Sequence, residues 1–483
     1  MKLAIRILPL LLLAAIAHAT QTAQPASPPK QANTGSHFIV SLLQNAAKAN
    51  SGNICLCPYS AAETITLLAP GAAPQTHLEL ESALGDLSPL IKAGKADSLY
   101  IESANRLYLD SRLPISPTYT TQLPDSSVTG IDFRSNPEQA RTSINQWVET
   151  ATHGLIGELL APGQISPETT LAAINAFYIK DRWDNEFDEQ HTADAPFTLT
   201  DGTTKQVPAM HLQTAFPCTI TPEYSAVALP FVPKPIKGTH NLRPGAGMIF
   251  ILPPEGMTID TFVQSLTADK LTAIRRSLSS TPETSSIRTV LLSLPKFQMA
   301  SETNLIPILK NMGLKAAFLP DHGFPRITTA QHPLPLDSFI QKCSIRIDEQ
   351  GSEGAASTAM VATMGIRDGG SDDPVSFTIN RPFVWLIVPS IDLAPLYSDH
   401  LPEQHNHPVF IGMVKEPHFP VTASPKNKPG RTTSTAHKSQ KLSEPPRPKR
   451  IKMINAPMNT KDCDIPWGLG LELGTPLPPQ PPH

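Results

Sequence analysis

The chain has 483 residues, 51 of them proline, and its 39 Lys+Arg against 42 Asp+Glu leave a formal charge of −3. Proline at roughly twice ordinary usage beside only 26 glycines excludes collagen-like and Gly/Ser-rich sequences, and 40% hydrophobic with 17% charged residues describe a globular protein carrying some disordered sequence. The near-neutral balance argues against a chain-wide nucleic-acid surface. Residues 1–19 read as a cleaved secretory signal: Lys2 and Arg6, a short apolar run over 7–16, then the small-x-small site Ala17-His18-Ala19. An uncleaved anchor is the alternative, but the run is short for a span and no later run reaches spanning length. The expected location is therefore secreted or periplasmic.

Residues 20–36 are rich in Gln, Pro and Ser and read as a flexible linker. From 37 to 417 amphipathic segments alternate with β-branched runs, without repeat or long linker, which predicts one large domain. Helical spacing marks 38–49 and 60–68, the second stopped by Pro70-Gly71, and 104–109 reads as a strand. Residues 137–160 carry two helical stretches broken at Gly154. Apolar runs predict buried strands at 171–179 and 289–299; 305–312 is a helix stopped by Gly313; 343–347 alternates as a strand and 383–388 is wholly apolar. Strands and helices interleave without a regular βαβ beat, so the expected class is α+β. Residues 418–483 hold 13 prolines and ten Lys/Arg against four Asp/Glu, lack hydrophobic periodicity, and read as a disordered basic tail.

Five cysteines, Cys55, Cys57, Cys218, Cys343 and Cys463, are odd in number and irregularly spaced, which is no disulfide framework. Cys55 and Cys57 would share one face of a strand. A metal or redox pair is one reading, two small buried apolar side chains the better one. No G-x-S-x-G, H-E-x-x-H, Walker loop or G-x-G-x-x-G occurs, so neither catalytic machinery nor a cofactor is expected. His400, His405 and His407, near Asp399 and Glu403, have ligand chemistry but no known ligand spacing, and a solvated loop is the better reading.

Residues 347–362 do not look like ordinary structure. The latter part is small, nearly uncharged and free of proline. From Ser352 onward one alternating face is Ser352, Gly354, Ala356, Thr358, Met360 and Ala362, all of which a sheet could bury without an unpaired charge. Glu353 falls on the other face. Met364, Gly365, Ile366 and Arg367 follow, then a polar run over 368–373, so a strand-competent segment leads into an exposed loop. A flexible Ala/Ser linker is the alternative.

Seven segments, in order, resemble the serpin family. Asn53-Ile54-Cys55-Leu56-Cys57-Pro58-Tyr59-Ser60 is similar to N-x-x-x-S-P-x-S, and Asn145-Gln146-Trp147-Val148 with Thr152, Gly154 and Ile156 to N-x-W-V…T-x-G-x-I. Asn175-Ala176-Phe177-Tyr178 with Trp183 and Phe187 resembles N-A-x-Y-F-K-x-x-W-x-x-x-F, and Leu294-Pro295-Lys296-Phe297 matches L-P-K-F. Glu349, Gln350, Gly351, Ser352, Glu353, Gly354, Ala355, Ala356, Ser357 and Thr358 resemble the hinge pattern E-x-G-T-E-A-A-A-A-T. Asn380-Arg381-Pro382-Phe383 and Phe410-Ile411-Gly412-Met413-Val414 match the closing strands. There are departures: Cys57 replaces a Ser, Gln341 stands where His is common, and Gly354 where Ala is usual. The interval from Gly85 to Ala104 is short for a heparin-binding helix, and 390–408 is longer than the usual connection.

The resemblance implies a mechanism. A target serine protease attacks a bond in the exposed loop, the freed loop inserts into a large sheet as a new strand, and the acyl-enzyme is distorted before it can hydrolyse. It implies a sheet-opening region at Ser60, Asn175 and Gln341, and a salt bridge between Glu349 and Lys296. Counting from Glu349 puts the reactive bond at Met364-Gly365 or Gly365-Ile366, which suits an elastase- or chymotrypsin-like target. Counting back from Asn380 puts it nearer Ser371, and Arg367 between them would suit a trypsin-like target. The implied protein is a monomeric inhibitor with no cofactor, no nucleic acid and no membrane span. A non-inhibitory carrier or chaperone of the same fold is the second reading; the absence of bulky, charged or Pro residues on the hinge's inward face favours inhibition. A third is an interaction protein working through its tail, where Arg447, Lys449, Arg450 and Lys452 could hold a polyanion.

Overall fold

The computed structural model describes residues 35–419, apart from 97, 100, 153, 155, 235–244, 280–285, 353–372 and 392–406. In chain order come α1 (Gly35–Ala49), β1 (Ile54–Leu56), α2 (Pro58–Leu68), α3 (Pro74–Leu84), α4 (Ser88–Gly94), β2 (Ile101–Asp110), α5 (Pro117–Thr120), β3 (Val128–Ile131), α6 (Pro137–Ala151) and β4 (Leu171–Ile179). Then follow β5 (Ala193–Thr198), β6 (Thr204–Ile220), β7 (Ser225–Pro230), β8 (Gly247–Leu252), α7 (Ile259–Ser265) and α8 (Ala268–Ser277). The last are β9 (Ile287–Pro295), β10 (Phe297–Asn304), α9 (Leu305–Asn311), β11 (Ser338–Ile347), β12 (Val375–Thr378), β13 (Phe383–Val388) and β14 (Phe410–Val414).

Two mixed sheets surrounded by helices make the class α+β, as expected. One has five strands in the order β10-β11-β4-β2-β3. Its β4 and β11 are parallel neighbours, from Ser338↔Ala172 to Ser344↔Tyr178, while β10 and β2 flank them antiparallel. The other sheet runs β1-β14-β13-β8-β7-β6-β9-β12, with β5 also on β6. The 17-residue β6 ties it together: Ala209 to Pro217 pair with β9, and Cys218 to Ile220 with β7. Every residue of β13 is buried, which its unbroken apolar run Phe-Val-Trp-Leu-Ile-Val requires of a strand covered on both faces. Against it β14 comes so close that a Cβ on Gly412 would lie 2.3 Å from the Ile54 carbonyl and 2.5 Å from the Trp385 ring. That is the physical reason for the glycine in Phe410-Ile411-Gly412-Met413-Val414.

Several expectations need correction. The strand read over 289–299 is two strands: β9 ends at Pro295, β10 starts at Phe297, and they belong to different sheets. An apolar run cannot show that the chain changes partner at Lys296. Of the two helical stretches over 137–160, only α6 forms. The described residues 156–160 are irregular because Asn145 on α6 binds them: its Oδ1 accepts from the amides of Leu159 (3.1 Å) and Leu160 (2.8 Å), and its Nδ2 donates to the Leu160 carbonyl (2.9 Å). Among the described residues the interval after Gly85 holds only the seven-residue α4, with Leu90 and Ala93 buried, in keeping with its shortness. Helix α1 begins at Gly35, inside the expected linker, and Ser36 is buried with its Oγ 3.2 Å from His407 Nδ1. His407 is thus a buried hydrogen-bonding residue rather than part of a solvated loop; its expected companions Asp399, His400, Glu403 and His405 lie outside the described residues.

Candidate functional site at the seam between β4 and β11

The centre of the five-stranded sheet is cross-linked by buried polar side chains. Gln341 on β11 and Asn175 on β4 are registered partners, and Gln341 Nε2 donates to Asn175 Oδ1 at 2.9 Å. The same amide nitrogen donates to the Cys57 carbonyl (3.0 Å), while Gln341 Oε1 accepts from the Cys57 amide (3.0 Å). Asn175 Nδ2 faces Ser60 Oγ, Thr64 Oγ1 (3.1 Å) and Asn105 Oδ1 (2.6 Å); Ser60 Oγ donates to Asn105 Oδ1 at 2.8 Å. Asn105 Nδ2 in turn donates to Glu63 Oε2 at 2.9 Å. The structure therefore gathers Ser60, Asn175 and Gln341 into one cluster, tying α2, β2, β4 and β11 together. Such a network is stabilising while complete and costly when one member is lost.

Asn105 and Thr64 complete this cluster and were not singled out from the sequence. Thr64 stands one helical turn after Ser60, a spacing that could have flagged it. Asn105 stands among other polar residues of β2 (Glu102, Ser103 and Arg106), so nothing local set it apart. Cys57 caps α2, its Sγ accepting from the Ser60 amide at 3.4 Å, with Pro58 at the first helical position. Burial pushes the Cys57 and Cys343 thiols well up, so both are inert acids. Cys55, Cys57, Cys218 and Cys343 are free and buried, which fits small apolar packing; Cys463 lies outside the described residues.

At the upper end of the seam the strand pairing stops at Ser344↔Tyr178, although β11 continues to Ile347. The turn that follows is tied to the segment after β4. The Trp183 indole donates to the Asp348 carbonyl (3.0 Å), its amide to the Gln350 carbonyl (3.0 Å), and the Phe187 amide to the Glu349 carbonyl (2.9 Å). Trp183 is stacked on Phe231 with 5.0 Å between ring centroids, which fixes its indole. Gly351 has φ +145°, and a Cβ there would lie 2.2 Å from the Asp181 carbonyl oxygen, so the close approach excludes any side chain. Ser352 then enters the seam with no exposed surface. Its amide donates to the Asp181 carbonyl (2.8 Å), and its Oγ accepts from the Asp181 amide (2.7 Å).

Charge completes the turn. Lys296 lies at the crossing from β9 to β10, and its Nζ meets Glu349 Oε1 at 2.9 Å and Oε2 at 2.8 Å; Thr192 Oγ1 donates to Oε1 at 2.7 Å. Burial pushes the Glu349 carboxyl up, but the Lys296 and Thr192 hydrogen bonds pull it further down, so it stands below its usual value. The Lys296–Glu349 pair is thus formed; nothing in the sequence marked Thr192. Glu353, Gly354, Ala355, Ala356, Ser357 and Thr358, and the bond candidates Met364, Gly365, Ile366 and Arg367, lie outside the described residues.

The whole arrangement is a parallel seam cross-linked by buried polar side chains, with a turn at its mouth bridged through Gly351 to Arg182 and ending in the buried Ser352. The family model described as Serpin (serine protease inhibitor) matches residues 33–397. The chain belongs to the serpin family. Among curated relatives, this serpin is 29% identical to Iris of Ixodes ricinus over 359 residues, covering 71% of this chain and 90% of that protein. It is 29% identical to antichymotrypsin-2 of Bombyx mori over 370 residues, covering 74% and 94%. The crystal structure of uncleaved ovalbumin shares the serpin fold with it at a TM-score of 0.64 and 23% identity, covering 80% of this chain and all of that one. Among the described residues no helix of this serpin is long and apolar enough to cross a membrane.

Proposed function

We propose that this serpin is a suicide-type inhibitor of serine proteases that traps the acyl-enzyme by inserting its cleaved loop between β4 and β11. The protease Ser Oγ attacks the carbonyl carbon of the reactive bond, the amine of the following residue leaves with the proton that the protease's own base supplies, and an ester joins the two proteins. The chemistry belongs to the protease, and this chain acts as inhibitor rather than enzyme. Loop insertion by serpins is itself a standard instance of strand addition. The observation that carries the reading is Ser352: fully buried at the mouth of the seam, it is the first residue of the strand that would follow. In this reading residues 349–358 are the hinge, and Ser60, Asn175 and Gln341 with Asn105 and Thr64 form the latch that opens.

The target is an elastase- or chymotrypsin-like protease cutting at Met364 to Ile366, with a trypsin-like protease at Arg367 as the second choice. The serpin works as a secreted or periplasmic protein, on the strength of residues 1–19, and as a monomer. Incubation of the purified protein with elastase, chymotrypsin and trypsin should give a complex that survives SDS and boiling. Cleavage of the loop by every protease without such a complex would instead support a non-inhibitory carrier or chaperone.

A further inference from the structure

His418 and Phe419 lie beyond the residues matched by the serpin family model, 33–397, yet the Phe419 ring sits on the cations that hold the hinge turn. The Phe419 ring has Lys296 Nζ 4.4 Å from its centroid and Arg346 Cζ 4.8 Å from it. Lys296 grips Glu349, and Arg346 Nε grips Asp348 Oδ2 at 3.1 Å. One aromatic ring therefore touches both basic groups that neutralise the two acidic residues of the turn. Its position is set by rigid neighbours. The His418 carbonyl accepts from the Gln298 amide on the edge strand β10 (2.6 Å). Just before it, Asn53 clamps the chain, its Nδ2 donating to the Glu416 carbonyl (2.7 Å) and its Oδ1 accepting from the Lys415 amide (2.7 Å) and the Glu416 amide (3.1 Å).

We propose that Phe419 is a positioning residue for the hinge, holding Lys296 and Arg346 against Glu349 and Asp348 and so delaying entry of the loop into the seam. The proposal rests on reading 348–352 as the hinge of an inserting loop. Two cations placed side by side repel each other, and both long side chains lose rotamer freedom in their grips. The ring's negative face draws both to one place and keeps water off one side of each. Without it, both cations turn toward solvent, the acidic residues lose their fixed partners, and the turn leaves Trp183 and Asp181 more often.

The test uses the full-length protein with Phe419→Ala, Phe419→Leu and Phe419→Trp, each also in a Glu349→Gln background. The readout is the rate at which native monomer is lost to loop-inserted or polymeric forms, followed on native gels at a fixed temperature below unfolding. Phe419→Ala and Phe419→Leu should both convert about tenfold faster than wild type, Phe419→Trp should convert at the wild-type rate, and the effect of Phe419→Ala should shrink once Glu349 has lost its charge. The leucine variant keeps apolar bulk and removes the ring, so a wild-type rate there overturns the proposal. So does an undiminished effect in the Glu349→Gln background. A wild type that forms no SDS-stable complex with any protease removes the inhibitory reading, while the conversion rates still decide the role of Phe419.

Discussion

Replacing Ser352 by arginine puts the seam to its most direct test. Ser352 is fully buried, and the carboxylate of Asp181, whose backbone it binds, is already held by Lys234 at 3.0 Å. Before cleavage the variant can escape: the turn swings out and forfeits the two hydrogen bonds between Ser352 and Asp181, about 1 kcal/mol each. After cleavage the same side chain must go into the sheet interior, where an unpaired charge costs ~3–5 kcal/mol. The difference, about 1–3 kcal/mol, falls on the insertion step and slows it roughly tenfold to hundredfold. Hydrolysis of the acyl-enzyme is unaffected, so it overtakes insertion and the inhibitor becomes a substrate. SDS gels of Ser352→Arg with a protease that wild type traps should show cleaved serpin replacing the covalent complex. An unchanged yield of complex would refute the argument that this position must be buried and neutral.

Other outcomes follow from the same geometry. Glu349→Lys sets two cations together where Lys296 now holds a carboxylate, and mild heating should drive the variant into polymers or early-inserted monomer; native gels showing only native monomer would count against the pairing. Because the Glu349 carboxyl stands below its usual value when folded, its contribution is complete at neutral pH and disappears as acid carries the pH down through the folded value. Acid should therefore shorten the life of wild-type monomer, and Glu349→Gln should remove that dependence. Gln341→Ala strips partners from the Cys57 amide, the Cys57 carbonyl and Asn175 Oδ1, and should destabilise the native state by about 2–4 kcal/mol, read as a lower melting temperature; an unchanged melt contradicts the latch. Mass spectrometry of the small C-terminal fragment locates the reactive bond. A fragment starting at Gly365 or Ile366 after elastase supports the count from the hinge, and one starting at Asp368 after trypsin overturns it.

Much of this protein is written in local pattern. The apolar-rich runs at 171–179 and 383–388 are β4 and β13 to the residue, because a strand buried on both faces leaves a short, largely apolar stretch, interrupted in β4 only by residues such as Asn175 that find partners inside. The alternating small residues after Ser352 raise the expectation of a segment able to enter a sheet, since side-chain size and charge along one face can be read from sequence. Lys296 and Glu349 were paired through the family's motifs, not through any local signal. What sequence could not supply is partner choice. The run over 289–299 looks like one strand and is two, because only the folded chain decides that β9 joins one sheet and β10 the other. Thr192, Asn105 and Phe419 are unremarkable in their own neighbourhoods. They matter because tertiary packing carries Thr192 to a carboxylate 157 positions away, Asn105 to an amide 70 positions away, and Phe419 to two cations, Arg346 on β11 and Lys296 at the crossing from β9 to β10. Hydrophobic spacing is a property of neighbours along the chain, whereas hydrogen bonds and ion pairs between distant residues exist only once the sheets have set the distance.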